Sequence, residues 1–89
     1  MPQYFIEISR TAEKQLKKIN KGDRDKIVQA LVALADEPYQ RGARKLSGYD
    51  DVFRIRVGKY RVIYSISNQK LTVIILKIGH RKDIYQRHR

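Results

Sequence analysis

The feature that most constrains the fold is the stretch from residue 52 to 66, VFRIRVGKYRVIYSI. Its side chains alternate with period 2 and are mostly β-branched or aromatic, the signature of strands. A two-residue loop at Gly58-Lys59 makes it a hairpin in which Val57 pairs with Tyr60 and Arg56 with Arg61. Arg54 then lies one pleat further along the same face. The opposite face carries Phe53, Ile55, Val57, Tyr60, Val62, Tyr64 and Ile66, which need a core to cover them. Like charges directly across a ladder cost on the order of 0.2–1 kcal/mol per pair. A hairpin that tolerates this cost offers its guanidinium groups to an anion.

The charge of the whole chain agrees. Its 89 residues carry 20 Lys and Arg against 9 Asp and Glu, a net charge of +11. Residues 1–40 hold 7 basic and 6 acidic side chains, whereas residues 41–89 hold 13 and 3. The second half therefore carries the field, and such a field suits a phosphate backbone. No apolar run is long enough to span a bilayer, and the opening MPQYFIEISR reads as a strand rather than a signal peptide. With no cysteine, disulfides and thiolate ligands are excluded. His80 and His88 are the only histidines, too few for a metal site of their own. The expectation is a cytoplasmic protein of one domain, residues 1–89, with neither metal nor cofactor.

Along the chain, residues 3–8 alternate as a first strand. Ser9 or Thr11 can cap a helix with Glu13 near its positive end, and Ala12, Leu16 and Ile19 mark its apolar stripe. Asn20-Lys21-Gly22 ends it, with Gly22 available for a left-handed cap. Asp23 can cap a second helix carrying Ile27, Val28, Leu31, Leu34 and Ala35, which Pro38 stops. Residues 44–47 form a short strand, the hairpin follows, and the apolar run LTVIILKI (71–78) reads as a buried strand broken by Gly79. The order β-α-α-β-β-β predicts an α+β domain. A helical hairpin packs on one face of a largely antiparallel twisted sheet, and a short turn or helix closes the C-terminus.

At this level of detail the chain resembles the RelE/ParE toxin superfamily, and within it the RelE branch. The resemblance runs from FIEISRTAEKQLKKI through KLSG and is sharpest in YRVIYSI and KIGHRKDIY. It implies the toxin of a toxin–antitoxin module, an endoribonuclease that enters the ribosomal A site and cuts messenger RNA there. The chemistry implied needs no metal, because the ribose 2′-hydroxyl attacks the adjacent phosphate. Carried over by position, the resemblance places the catalytic group at Arg61, Arg56, Arg81 and Tyr85. Arg61 would grip the phosphate, Arg81 would sit by the leaving oxygen, and Tyr85 would stack on a base or bond near the 2′-hydroxyl. Arg54, Arg56, Lys45, Lys59 and Lys82 would hold RNA. The partners implied are an acidic, RelB-like antitoxin and the ribosome with its messenger and ribosomal RNA.

Relatives carry lysines on the first hairpin strand where this chain has Arg54 and Arg56. A guanidinium stays protonated at physiological pH and is a poor base, so proton transfer falls to His80, the nearby group whose ordinary pKa suits the task. Each residue also has a plainer reading: Arg54 as part of an electrostatic funnel, Arg81 as a strand cap, His80 as a solvated loop residue, Tyr85 as an anchor for the tail. Two other functions fit the same scaffold, a ParE-like inhibitor of DNA gyrase without nuclease chemistry and a plain RNA-binding domain.

Overall fold

The computed structural model of the chain describes residues 3–80. Its elements run β1 (Phe5–Ile8), α1 (Arg10–Lys17), α2 (Lys21–Asp36), β2 (Arg44–Lys45), β3 (Val52–Val57), β4 (Tyr60–Ser67) and β5 (Thr72–His80). The α+β class holds; the short strand expected at 44–47 forms over Arg44–Lys45 alone and is the fifth strand, left out of the order β-α-α-β-β-β. The five strands make one sheet in the order β1-β5-β4-β3-β2. All neighbours are antiparallel except β1, which runs parallel to β5, while the two helices carry the chain from β1 to β2 at the opposite edge.

Local chemistry sets the helix boundaries. Ser9 caps α1, its hydroxyl accepting from the Ala12 N–H at 3.0 Å. Asn20 caps α2, accepting from the Asp23 N–H at 2.9 Å. This corrects the sequence assignment: Asn20 opens the second helix, and Gly22 lies in its first turn instead of ending α1. An amide side chain three residues earlier serves the orphan N–H groups as well as Asp23 would, and the helix gains a turn.

Ala12, Ile19, Ile27, Leu31 and Leu34 bury against Ile55, Val62, Tyr64, Ile66, Val73, Ile75 and Ile78. Within α2 the buried positions fall at i, i+4 and i+7, while Val28 and Val32 turn outward. The Tyr64 hydroxyl, inside this core, donates to the Pro38 carbonyl at 2.9 Å. Phe53 stacks on Tyr64 with centroids 6.0 Å apart and meets the Tyr39 ring edge-on at 5.6 Å. These contacts anchor the segment that leaves α2 and so fix where β2 begins.

Two further expectations change at β5. Leu71 does not start the strand; it turns the chain with a left-handed φ of 49°. Gly79 does not end it either, because it continues the ladder opposite Arg61. A bulge intervenes, with Ile63 pairing Lys77 but Tyr64 pairing Ile75, so Leu76 is the extra residue. Leu76 and Lys77 therefore both line the face of the sheet away from the helices, and β5 is less evenly buried than its sequence suggests.

Candidate nucleic-acid interface

The hairpin forms as its alternation requires. Val57 pairs with Tyr60, Arg56 with Arg61, Ile55 with Val62 and Arg54 with Ile63. Gly58 has φ 61°, and Leu71 is the only non-glycine with positive φ among the described residues, so the turn is of type II′ with glycine in its first central position. In such a hairpin the residues flanking the loop exchange hydrogen bonds, and the next pair is the closer, non-hydrogen-bonded kind. That next pair is Arg56 and Arg61.

The two guanidinium groups sit in different environments. Arg56 is exposed, while Arg61 is only 7% exposed although it lies on the helix-free face. A charge that far withdrawn from water is held in a defined place, unlike a solvated side chain free to splay. Its neighbour on the other side is Gly79, which has no side chain to cover it. Arg54 is partly buried on the same face, two residues from Arg56. Arg54, Arg56 and Arg61 therefore share one face.

Not every predicted residue joins them. Lys45 pairs with Phe53, so it belongs to the helix-side parity of the sheet. Its neighbour Arg44 pairs with Arg54 and joins the arginine face instead. Sequence reasoning missed Arg44 because a two-residue strand carries no alternation from which to choose its register. Lys59 is exposed in the turn itself. His80 is paired with Tyr60, and its ring meets the Tyr60 ring edge-on with centroids 6.0 Å apart. Adjacent residues in a strand point to opposite faces, so the Gly79–Arg61 pairing sends His80 to the side away from the arginines. In that register His80, the residue expected to transfer the proton, does not join the arginine face. Arg81, Lys82 and Tyr85 lie outside the described residues.

Two depressions adjoin the arginines. One, of about 460 Å³, opens where β2 stops and β3 continues, with Arg44, Arg54 and Arg56 in its lining. The other, of about 160 Å³, is apolar and bounded by Leu46, Tyr49, Val52, Ile63 and Leu76. Among the described residues there is no group of three or more His, Asp or Glu side chains able to hold a metal ion. No helix of the described residues is long and apolar enough to cross a membrane.

The five-stranded sheet backed by two helices, with its basic open face, is the fold of solved RelE toxins. Residues 6–85 match the family described as the ParE toxin of the type II toxin–antitoxin system parDE, and the chain belongs to it. Its relatives place it in the RelE branch. It is 35% identical over 88 residues to Toxin RelG of Mycobacterium tuberculosis, covering 94% of this chain and 98% of that one. It is 27% identical over 81 residues to the mRNA interferase toxin RelE of Escherichia coli, covering 89% and 84%. Among solved structures, the RelBE2 toxin–antitoxin complex of M. tuberculosis contains a chain that superposes with a TM-score of 0.81 at 30% identity, covering 91% of this chain and 94% of that one.

Proposed function

We propose that the protein is a cytoplasmic toxin that cuts messenger RNA in the ribosomal A site and is neutralised by an acidic antitoxin of the RelB kind. The observation that carries this reading is the Arg56–Arg61 pair, two guanidinium groups held together on an open face with one of them nearly buried. In the reaction, the 2′-oxygen attacks the adjacent phosphorus, a cyclic 2′,3′-phosphate forms, and the 5′-oxygen leaves with a proton. The substrate brings its own nucleophile, so the protein must orient it and stabilise charge.

Arg61 receives the non-bridging phosphate oxygens through its planar fork, and Arg56 adds a second cation from across the ladder. Arg54 and Lys59 hold the strand on either side. Arg81 at the leaving oxygen and Tyr85 stacked on a base complete the site on the strength of the family resemblance, with Lys82 as an outlying phosphate contact. The arginines act by charge, since a guanidinium does not accept the 2′-proton. Relatives solved as complexes include a RelE–RelB pair from Pyrococcus horikoshii. An antitoxin segment that spans the arginines and the neighbouring apolar depression needs both carboxylates and apolar side chains, as an amphipathic helix provides.

Primer extension on transcripts from cells in which the toxin is induced tests the reading. Cuts within codons at the A site are expected. The family also bears the ParE name, and intact transcripts with gyrase-dependent DNA breaks would instead make this chain a gyrase inhibitor.

A further inference from the structure

Arg44 and Arg54 are a second pair of arginines facing each other across a ladder, this time between β2 and β3. The hollow at this open edge of β3 reaches toward α2 and is lined by Ala30, Gln40, Gly42, Ile55 and Arg56 besides these two, with no carboxylate among the described lining residues. The like-charge penalty that makes Arg56–Arg61 informative applies equally here, and β2 is only two residues long, so its ladder does little to compensate.

The backbone adds to the site. The Leu46 N–H donates to the Val52 carbonyl at 2.8 Å, so even-numbered residues of β3 turn their peptide groups toward β2. Beyond Arg54 no strand continues there, and the Arg56 N–H points into the hollow. Arg54 and Arg56 stand two residues apart on one strand, about 7 Å. Successive phosphates of an extended, unstacked RNA strand are spaced on this scale. A strand that seats one phosphate between Arg56 and Arg61 thus brings a neighbouring one to Arg44 and Arg54.

We propose that Arg44 and Arg54 form a second phosphate subsite that holds the RNA phosphate adjacent to the one being cut. The inference rests on the nuclease reading above and adds to it the positioning of the strand. A neighbour gripped by a separate pair fixes the direction of the RNA across the sheet, which in-line attack by the 2′-oxygen requires.

The test is single-turnover cleavage on programmed ribosomes, using an ordinary message and two messages with a neutral methylphosphonate on one or the other side of the scissile phosphate. Arg44 is exposed, so Arg44→Gln is expected to fold as the wild type does. It is expected to slow cleavage of the ordinary message about tenfold, the weight of one charge-assisted hydrogen bond. On one of the two neutralised messages it should have no further effect. Gly42→Glu gives an independent check, since a side chain there enters open space at the wall of the hollow. Its carboxylate should slow the ordinary message and matter least on that same neutralised message. Arg44→Gln matching the wild type, or slowing all three messages by the same factor, overturns the subsite alone. A wild type that cuts none of them overturns the nuclease reading and the subsite with it.

Discussion

Arg56 and Arg61 stand directly opposite each other across β3 and β4, in the close, non-hydrogen-bonded kind of pair, with Gly79 on the far side of Arg61. Arg61 thus stands between a like charge and a residue with no side chain. Like charges facing each other across a ladder cost on the order of 0.2–1 kcal/mol per pair.

Removing the repulsion should therefore stabilise the fold while weakening the site. Arg56→Gln is expected to raise unfolding stability by about 0.2–1 kcal/mol, read as a higher urea midpoint with unchanged slope. The same variant should cut messenger RNA more slowly. A midpoint that falls would mean that Arg56 is held by contacts stronger than its repulsion from Arg61.

The end of β5 that carries Gly79 is tied down from α1. Beyond Ile8, β1 no longer covers β5, and side chains of the helix take over its edge. The Gln15 side-chain Oε1 accepts from the Ile78 N–H at 2.7 Å, and the Ser9 hydroxyl donates to the Leu76 carbonyl at 3.0 Å. Gln15→Ala leaves a part-buried N–H without its acceptor, at a cost of about 1–3 kcal/mol. Gln15→Glu keeps an acceptor oxygen and should recover most of that loss. Hydrogen exchange at the Ile78 amide, faster in the alanine variant and slow in the glutamate one, reports the bond directly.

Burial pushes the Tyr64 phenol up from 10.0 to about 12, with the neighbouring Tyr39 adding to the rise. The folded state thus keeps this proton through a range in which the unfolded chain releases it. Its contribution is complete below about pH 10 and is lost as pH rises from there through about 12. Tyr64→Phe should flatten this part of the alkaline stability curve. It should also lower stability at neutral pH by about 1 kcal/mol, for the bond to the Pro38 carbonyl. An alkaline limb unchanged in the phenylalanine variant would assign the loss to other groups.

His80 lies against Tyr60, on the side of the sheet away from Arg61. His80→Ala is accordingly expected to leave the pH dependence of single-turnover cleavage unchanged between pH 5 and 8. A limb in that range that disappears in the variant would return His80 to the chemistry.

The hairpin was fully legible in the sequence, because strict alternation around a two-residue loop admits one register once an apolar face must be buried. The first strand, both helices and the shared face of Arg54, Arg56 and Arg61 followed from the same reasoning. Four features did not. Asn20 and Asp23 are both good caps, and only the packing of Ile27, Leu31 and Leu34 decides between them. Gly79 looked like a break, yet a glycine in a strand also serves where a bulky neighbour crosses over it, here beside Arg61. The bulge at Leu76 reverses the parity of β5 between Ile75 and Ile78, which no alternation pattern announces. Arg44 was hidden for a related reason: two residues are too few to display a period.

The most direct test of the whole account is the rate of messenger-RNA cleavage on programmed ribosomes by Arg61→Ala under single-turnover conditions. A guanidinium that stabilises charge on the phosphate as the bond breaks is expected to be worth roughly 10²-fold or more in that rate, with ribosome binding little changed. A variant that folds, binds the ribosome and cuts at the wild-type rate would contradict the role assigned to the paired arginines.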